Sequence, residues 1–269
     1  MIEKINIYTI FKFIIVGILA LILIVGIIIL FSNVKPGQNL VWDDETIISR
    51  NLDSEWYAAK YDSLKTAFGG NTKALLAGYE LQCLIALSQY PELKEVNISF
   101  EFAKISAPLE SNFDFTTLHK NAKNRKYRIL ISDDSTSFFK DVLFDKMNFD
   151  TQIALLTHEL GHTVYYHQLN LFQIGRWGLN YLLSDEFQQK HESDTDRMVI
   201  YKGLGWQQFE SAAFFTRFFN DGKIDIDLNS TEVDNGNYLS PTGVLKEMQN
   251  IAAYEPSLEF FLKELENKE

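Results

Sequence analysis

Three of the five histidines of this chain lie within ten positions of one another, in the segment THELGHTVYYH (157–167). His158 and His162 are four residues apart, and residues at that spacing share one face of an α-helix. Two imidazoles on one face can bind a single metal ion. Glu159 points about 100° further around the helix, where its carboxylate can reach a water molecule without binding the ion. The segment therefore predicts a metal site with a general base beside it.

HExxH is a weak pattern by itself, and a surface helix carrying incidental histidines is the alternative. Two features favour the metal site. Ile153, Leu156 and Leu160 predict an otherwise apolar helix, where polar side chains on a buried face are unfavourable unless they are engaged. Gly161 leaves room for another backbone to pack closely beside the second histidine.

A catalytic zinc site usually has a third protein ligand and one open position. HExxHxxGxxH is excluded, because Tyr165 and Gln168 stand where its glycine and its third histidine would be. Further along, Glu192 and Asp196 are four residues apart, so one face of a second helix carries both. A glutamate can complete a two-histidine site, and an aspartate can hydrogen-bond a ligand histidine from behind.

His191 is the alternative third ligand because it adjoins Glu192. Neighbouring residues on a helix point about 100° apart, so the two side chains do not face the same ion, and Glu192 is favoured. His167 lies five residues beyond His162, off the metal face, and is interpreted as a packing or hydrogen-bonding residue.

HELGH followed by ExxxD resembles the gluzincin zinc metallopeptidases. It is most similar to the membrane family that includes the CAAX prenyl proteases and the heat-shock membrane peptidase HtpX. The second motif of that family reads ExEADR or similar, and here ESDTDR runs from Glu192 to Arg197. The similar stretch spans residues 126–205.

The resemblance implies an α+β, zincin-like domain that is mostly helical with a small sheet. It also implies that Zn²⁺ is held by His158, His162 and Glu192, with Asp196 behind them and Glu159 as the base. The expected activity is hydrolysis of a protein or peptide substrate by metal-activated water, with the peptide paired to the edge of a strand such as KYRILISDD (126–134).

The resemblance has limits near the C-terminus. Relatives often carry a histidine-proline pair and a later arginine, whereas NYLSPTGVLKEM (237–248) has Pro241 without the histidine and Lys246 near the place of the arginine. The residue that stabilises the oxyanion is therefore not identified by sequence.

Two other functions stay open. The short gap from His162 to Glu192 is nearer that of the compact HExxH peptidases resembling the ImmA/IrrE regulators, which act on one partner protein. Those proteins usually show asparagine at the place of Asp196 and lack a membrane anchor. A catalytically silent membrane-anchored scaffold is the other alternative, and the intact Glu159 argues against it.

The elements that would position these residues follow from apolar spacing and capping residues. Strands are predicted at 95–105 and 126–134, with a polar loop between them. Asp53 or Ser54 is predicted to cap the first helix and Asp150 the helix that carries HELGH. Helices are predicted at 54–68, from 71 or 72 to 89, at 150–168, at 184–203, near 206–220 and near 243–265.

Residues 13–31, FIIVGILALILIVGIIILF, carry no charge and would span roughly 30 Å as a helix, about the thickness of the hydrocarbon core of a bilayer. A cleaved signal peptide is the alternative, but its apolar stretch is usually about 7–15 residues followed by a small-residue cleavage site. FSNVKPGQ follows here instead, so we expect an uncleaved single-pass anchor in the cell membrane.

Lys4 and Lys12 precede the span and Lys35 follows it, with Arg50 at the edge of the counted window, so the lysine and arginine bias favours an extracytoplasmic C-terminal domain. The net charge of −11 gives no support to a nucleic-acid partner. The predicted organisation is a tail (1–12), a transmembrane helix (13–31), a linker (32–52) and a metallopeptidase domain (53–269).

Overall fold

The computed structural model describes residues 7–37, 40–228 and 234–266. It begins with α1 (Ile7–Phe31), and the part Ile14–Phe31 has a mean hydropathy of 3.5 and is not buried in protein. By length and composition this helix is able to cross a membrane, although a signal sequence near an N-terminus passes the same test.

A mixed sheet of four strands forms within the described residues, in the order β1–β2–β4–β3. Strand β4 lies inside the sheet, parallel to β2 and antiparallel to β3. The strands are β1 (Lys73–Ala74), β2 (Asn97–Ala103), β3 (Leu109–Phe113) and β4 (Lys126–Ser132).

Helices supply most of the described chain. They are α2 (Ser54–Ala58), α3 (Tyr61–Phe68), α4 (Glu80–Ser88), α5 (Phe149–Gln168), α6 (Leu171–Leu183), α7 (Asp185–Val199), α8 (Gly205–Phe219), α9 (Pro241–Gln249) and α10 (Glu255–Glu266). A wide helical turn, Ile200–Leu204, joins α7 to α8. Two short strands, β5 (Asp234–Asn235) and β6 (Tyr238–Leu239), pair before α9.

The predicted strands at 95–105 and 126–134 are confirmed as β2 and β4. The polar loop predicted between them is wrong, because it contains β3. Leu109 and Phe113 are the buried ends of β3, and the three residues between them are half-buried. This pattern suits a strand that pairs on one side only.

Several helix boundaries also differ from prediction. Asp53 does cap α2, but the helix predicted over 54–68 is interrupted between α2 and α3. The helix predicted from 71 or 72 begins only at Glu80, because Lys73–Ala74 pairs with β2 instead. The C-terminal helix predicted near 243–265 is divided into α9 and α10, and α6 was not predicted.

The N-cap of α5 is Asn148 and not Asp150. The Asn148 side chain accepts the backbone N–H of Thr151 at 2.8 Å. Asp150 lies in the first turn, and its carboxylate accepts the backbone N–H of Leu52 at 2.9 Å. The acidic side chain therefore attaches the preceding segment to the helix.

Helix α5 lies at the centre of the molecule, between the sheet and the helices α7 and α8. Leu156 and Leu160 belong to the largest core cluster, together with Ile129 and Ile131 of β4. A second cluster joins α8, α9 and α10. The architecture is thus mostly helical with a small mixed sheet behind one apolar N-terminal helix, as expected at this level of detail.

The segment 32–52 lies against this body. Val34 and Leu40 pack on the largest core cluster, and Trp42 and Ile48 pack on the second. These apolar contacts hold the described parts of this segment, 32–37 and 40–52, against the body.

Candidate metal centre

Helices α5 and α7 bring His158, His162 and Glu192 together. The Nε2 atoms of the two histidines lie 3.2 and 3.1 Å from Oε2 of Glu192. One ligand atom from each residue lies within 4.8 Å of the others, and all three residues are buried. Among the described residues this is the cluster whose donors could hold a metal ion.

The two helices approach closely because Gly161 has no side chain. A Cβ atom there would lie 3.0 Å from Cγ2 of Thr195 and 3.3 Å from Sδ of Met198, both on α7. It would also lie 3.2 Å from the hydroxyl of Tyr90. The glycine between the two motif residues Leu160 and His162 therefore sets the distance from α5 to Glu192.

Asp196 lies behind His158, on the side away from Glu192. Its Oδ1 is 2.8 Å from Nδ1 of His158 and accepts a hydrogen bond from Nε2 of Gln208 at the same distance. Its Oδ2 accepts the backbone N–H of Leu239 at 2.8 Å. An ionised Asp196 requires the proton of His158 to be on Nδ1, which leaves the Nε2 lone pair directed towards Glu192.

His191 does not point at Glu192. Its Nδ1 is bonded to the carbonyl oxygen of Pro36, which can only accept, and its Nε2 lies 3.1 Å from Nδ1 of His162. His191 therefore donates from Nδ1 and accepts at Nε2, and His162 donates from Nδ1. Burial, followed by the influence of His162, lowers the pKa of His191 to about 3, so this ring stays neutral.

The donor set fits Zn²⁺. Both histidines hold a proton on Nδ1 and keep Nε2 free for a metal, and Glu192 supplies a carboxylate oxygen. The other oxygen of Glu192, Oε1, accepts the hydroxyl of Tyr181 at 2.6 Å. Two imidazoles and one carboxylate are a recurrent ligand set for catalytic zinc, which leaves a further position open.

The charges of this cluster are strongly coupled. Burial opposes the charged form of His158, but its hydrogen bonds with Asp196 and Glu192 raise the pKa of His158 well above the ordinary value. Burial likewise opposes the charge of Glu192, yet the two histidines lower the pKa of Glu192 well below the ordinary value. The hydrogen bonds of the cluster therefore favour the charged form of His158 and the ionised form of Glu192.

Glu159 is not one of the three donors. It is 8% exposed, and burial, reinforced by Glu192 and opposed by the two histidines, raises the pKa of Glu159 above the ordinary value. The backbone N–H of Ser111 in β3 donates to its carboxylate. A buried carboxylate with a raised pKa is a stronger base than a solvated one.

Strand β3 offers a free backbone edge beside Glu159. The carbonyl oxygen of Pro108 accepts a hydrogen bond from β4, and the backbone N–H of Asp114 donates one to it. In an antiparallel pair, alternate residues direct their backbone groups towards the partner strand. The backbone groups of 109, 111 and 113 therefore point away from β4. The N–H of Phe113 is occupied by the side chain of Asn112. The prediction that β4 binds a peptide by edge pairing is wrong, because β4 is paired on both sides.

An apolar cavity of about 220 Å³ opens beside His158 and Glu159. Leu109 of β3 and Leu155 of α5 lie on its walls, and Phe215 and Phe219 of α8 line it as well. Polar groups of the metal centre and bulky apolar side chains therefore meet in one concave site, as is usual for small-molecule and peptide-binding pockets.

Tyr238 of β6 also lines this cavity and was missed from the sequence. Its ring centroid lies 5.8 Å from that of His158. Half of the Tyr238 residue is exposed to solvent, but burial of its hydroxyl, followed by the charges of Glu192 and Glu159, raises the pKa of Tyr238 well above the ordinary value, so the hydroxyl stays protonated and able to donate. No spacing in the sequence connects Tyr238 to HELGH, because β6 reaches the site through the contact of Leu239 with Asp196.

His167 lies outside the cluster, as predicted. Its Nδ1 is 3.4 Å from the hydroxyl of Tyr127 in β4, so it attaches the end of α5 to the sheet. Comparisons of the chain with models of protein families, with curated proteins and with solved structures find no match.

Proposed function

We propose that the chain is a membrane-anchored zinc endopeptidase with a zincin-like domain. The observation that carries the proposal is the convergence of His158, His162 and Glu192 beside Glu159, next to a cavity that His158 and Glu159 line and a strand edge that is unpaired within the described residues. The exposed apolar helix α1 supports anchoring. The excess of lysines before that helix favours an extracytoplasmic domain.

A zinc ion held by these residues would supply a Lewis acid that polarises a carbonyl and lowers the pKa of water towards about 7. Glu159 acts as the general base: it takes a proton from the attacking water and passes the proton to the leaving amine. Asp196 and His191 keep the protons of the histidine ligands on Nδ1.

The substrate is proposed to be an extended peptide that pairs with β3. The backbone N–H and carbonyl of Leu109 and the carbonyl of Ser111 supply its hydrogen bonds by strand addition, whereas the N–H of Ser111 is already bonded to Glu159. The neighbouring cavity then receives one bulky apolar side chain, because its walls include Leu109, Leu155 and Phe215. Cleavage is therefore expected next to a large apolar residue.

Tyr238 is proposed as the donor that stabilises the oxyanion. Its protonated hydroxyl belongs to the residue that faces His158 across the cavity. Loss of one such donor typically lowers kcat by about 10²–10³-fold. Tyr238→Phe keeps the ring and removes the hydroxyl, so it tests this role with zinc content as the control.

The proposed activity is tested with Glu159→Gln. Because Glu159 is not one of the three donors, we expect the variant to keep its zinc and to lose about 10²–10⁴-fold in hydrolysis. The measurement is cleavage of a peptide library by the full chain in detergent, with zinc content determined in parallel. Glu186→Gln, at an exposed position, is the matched control.

Three outcomes separate the proposed function from its alternatives. Unchanged cleavage in Glu159→Gln removes the mechanism. Zinc binding without cleavage of any library peptide by the wild type indicates a regulatory peptidase dedicated to one partner. A wild-type chain that binds no zinc at all indicates a silent scaffold.

A further inference from the structure

Helix α6 carries apolar residues on the face that it turns away from the protein. Its inner face packs on the body: Ile174 is buried, and the ring of Trp177 lies 4.7 Å from that of Tyr166. The exposed apolar residues of the opposite face are Leu171, Phe172, Leu179, Leu182 and Leu183, of which the last two are 80% and 82% exposed. A helix on a water-facing surface normally turns charged and polar residues outwards.

The apolar helix α1 lies next to α6. A Cβ atom on Gly175 would lie 3.1 Å from Cδ1 of Ile29, so α6 crosses α1 at direct contact. Ile29 is two residues before the end of α1 at Phe31, which corresponds to about 3 Å along a helix axis. Helix α6 therefore passes α1 at the level where the apolar span ends.

The length and charge of α6 define how it can meet a membrane. Thirteen residues make a helix of about 20 Å, too short to cross a hydrocarbon core of about 30 Å. Arg176 is the one Lys, Arg, Asp or Glu residue within α6. The nearest acidic residues, Asp185 and Glu186, follow the helix at the start of α7. A short apolar helix of this kind suits the interfacial layer of a bilayer.

We infer that α6 lies in the interfacial layer of the membrane that α1 spans, with its outer apolar face in the boundary between headgroups and acyl chains. The inference rests on the proposed membrane span of α1. Tyr181, on the inner side of the same helix, donates to Glu192. The metal centre is thus held about one helix diameter, roughly 10 Å, from the membrane surface.

The test uses the full chain in phosphatidylcholine–phosphatidylglycerol vesicles, with an environment-sensitive fluorophore on a single introduced cysteine. Cys83 is fully buried, so the wild-type chain is the labelling blank. Leu182→Cys probes the outer face of α6, and Phe172→Cys probes a second point on it. Phe260→Cys on α10, 59% exposed, is the matched control, and Leu21→Cys reports the depth of α1.

Lipids spin-labelled near the headgroup are expected to quench the probes at 182 and 172 more than lipids labelled at the chain end. Aqueous iodide should quench the probe at 260 far more strongly than either. If iodide quenches the probes at 182 and 172 as strongly as the probe at 260, α6 lies in water and the inference is wrong. If neither lipid labels nor iodide quench the probes at 182 and 172, and these positions crosslink between chains, a second copy of the chain covers this face. That result also contradicts the inference.

The probe at 21 separates this failure from failure of the proposed anchor. Quenching of the probe at 21 by lipids labelled at the chain end shows that α1 spans the membrane, independently of where α6 lies. If the probe at 21 is not quenched by any lipid, the membrane span itself is wrong. Zinc content of each labelled variant verifies that the label has not unfolded the chain.

Discussion

At the scale of single residues, the two carboxylates of α7 have different contacts although they share one helix face. Glu192 contacts the Nε2 atoms of both histidines, whereas the only histidine atom that Asp196 contacts is Nδ1 of His158. We expect Glu192→Ala to bind little zinc, because it loses a ligand. Asp196→Ala should lose about 10–100-fold in affinity, because it loses only the orientation of a ligand.

Zinc content at limiting free metal distinguishes the two effects. Asp185→Ala, at an exposed position of the same helix, serves as the control. If Glu192→Ala retains full zinc while His191→Ala loses it, the assignment of the third ligand is wrong.

The proton on His158 predicts how zinc binding depends on pH. The raised pKa of His158 favours its protonated form, and a metal requires the neutral ring. Apparent zinc affinity should therefore rise with pH until the pKa of His158 is passed. The lowered pKa of Glu192 keeps that carboxylate ionised throughout this window.

Calorimetric titration in buffers of different ionisation enthalpy measures the protons that zinc binding releases, and we expect a net release at pH 7. Asp196→Asn should reduce the release, because it removes a carboxylate that raises the pKa of His158. Zinc binding without proton release would contradict the coupling.

The residues found from sequence are those whose spacing is local. His158 and His162 are one helical turn apart, and so are Glu192 and Asp196, so each pair could be predicted to share a face. Tyr238 could not be predicted in this way, because it reaches the cavity through tertiary contacts of β6. The orientation of His191 was equally inaccessible, since it depends on the carbonyl oxygen of Pro36, far away in the sequence.

At the scale of elements, the approach of α5 to α7 depends on Gly161. A methyl group there would press on Thr195 and Met198, and overpacking of this kind typically destabilises a fold by about 1–3 kcal/mol. We expect Gly161→Ala to lower the free energy of unfolding and also zinc affinity, because the shift separates His162 from Glu192. Chemical denaturation and a zinc competition assay measure the two effects.

Gly178→Ala is the matched control, because a Cβ atom on Gly178 meets no atom within 4 Å. Alanine there should be neutral or slightly stabilising, since glycine is the poorer helix former by about 1 kcal/mol. Equal zinc affinities in the two variants would show that the distance between the helices does not limit the site.

The two elements that were not predicted from the sequence, β3 and α6, lack a pattern of apolar residues on one face and polar residues on the other. Strand β3, LESNF, has polar residues between two apolar ends, as an edge strand does, and so resembles a loop. Helix α6, LFQIGRWGLNYLL, is apolar both towards the body and away from it, so its spacing does not reveal a polar face. Helix α5 was predictable because its apolar spacing surrounds a recognisable motif.

At the scale of the whole molecule, the segment that leaves α1 is connected to the metal centre. Tyr165 donates to the carbonyl oxygen of Lys35, and His191 donates to that of Pro36. His191 in turn accepts from His162. The position of the chain just after the anchor therefore contributes to the orientation of a proposed zinc ligand.

A matched pair of truncated chains tests this connection, since both lack α1. We expect the chain 32–269 to bind zinc more tightly than the chain 40–269, by up to the roughly 10–100-fold typical of groups that orient a ligand. A competition titration with a chelator measures the difference. His191→Phe, made in both chains, removes the hydrogen bonds and keeps a ring, so truncation should then have no further effect on zinc affinity. If truncation weakens zinc binding equally in the His191→Phe background, its effect comes from the lost packing of Val34 on the core or from the lost hydrogen bond of Tyr165 to Lys35, and not from Pro36.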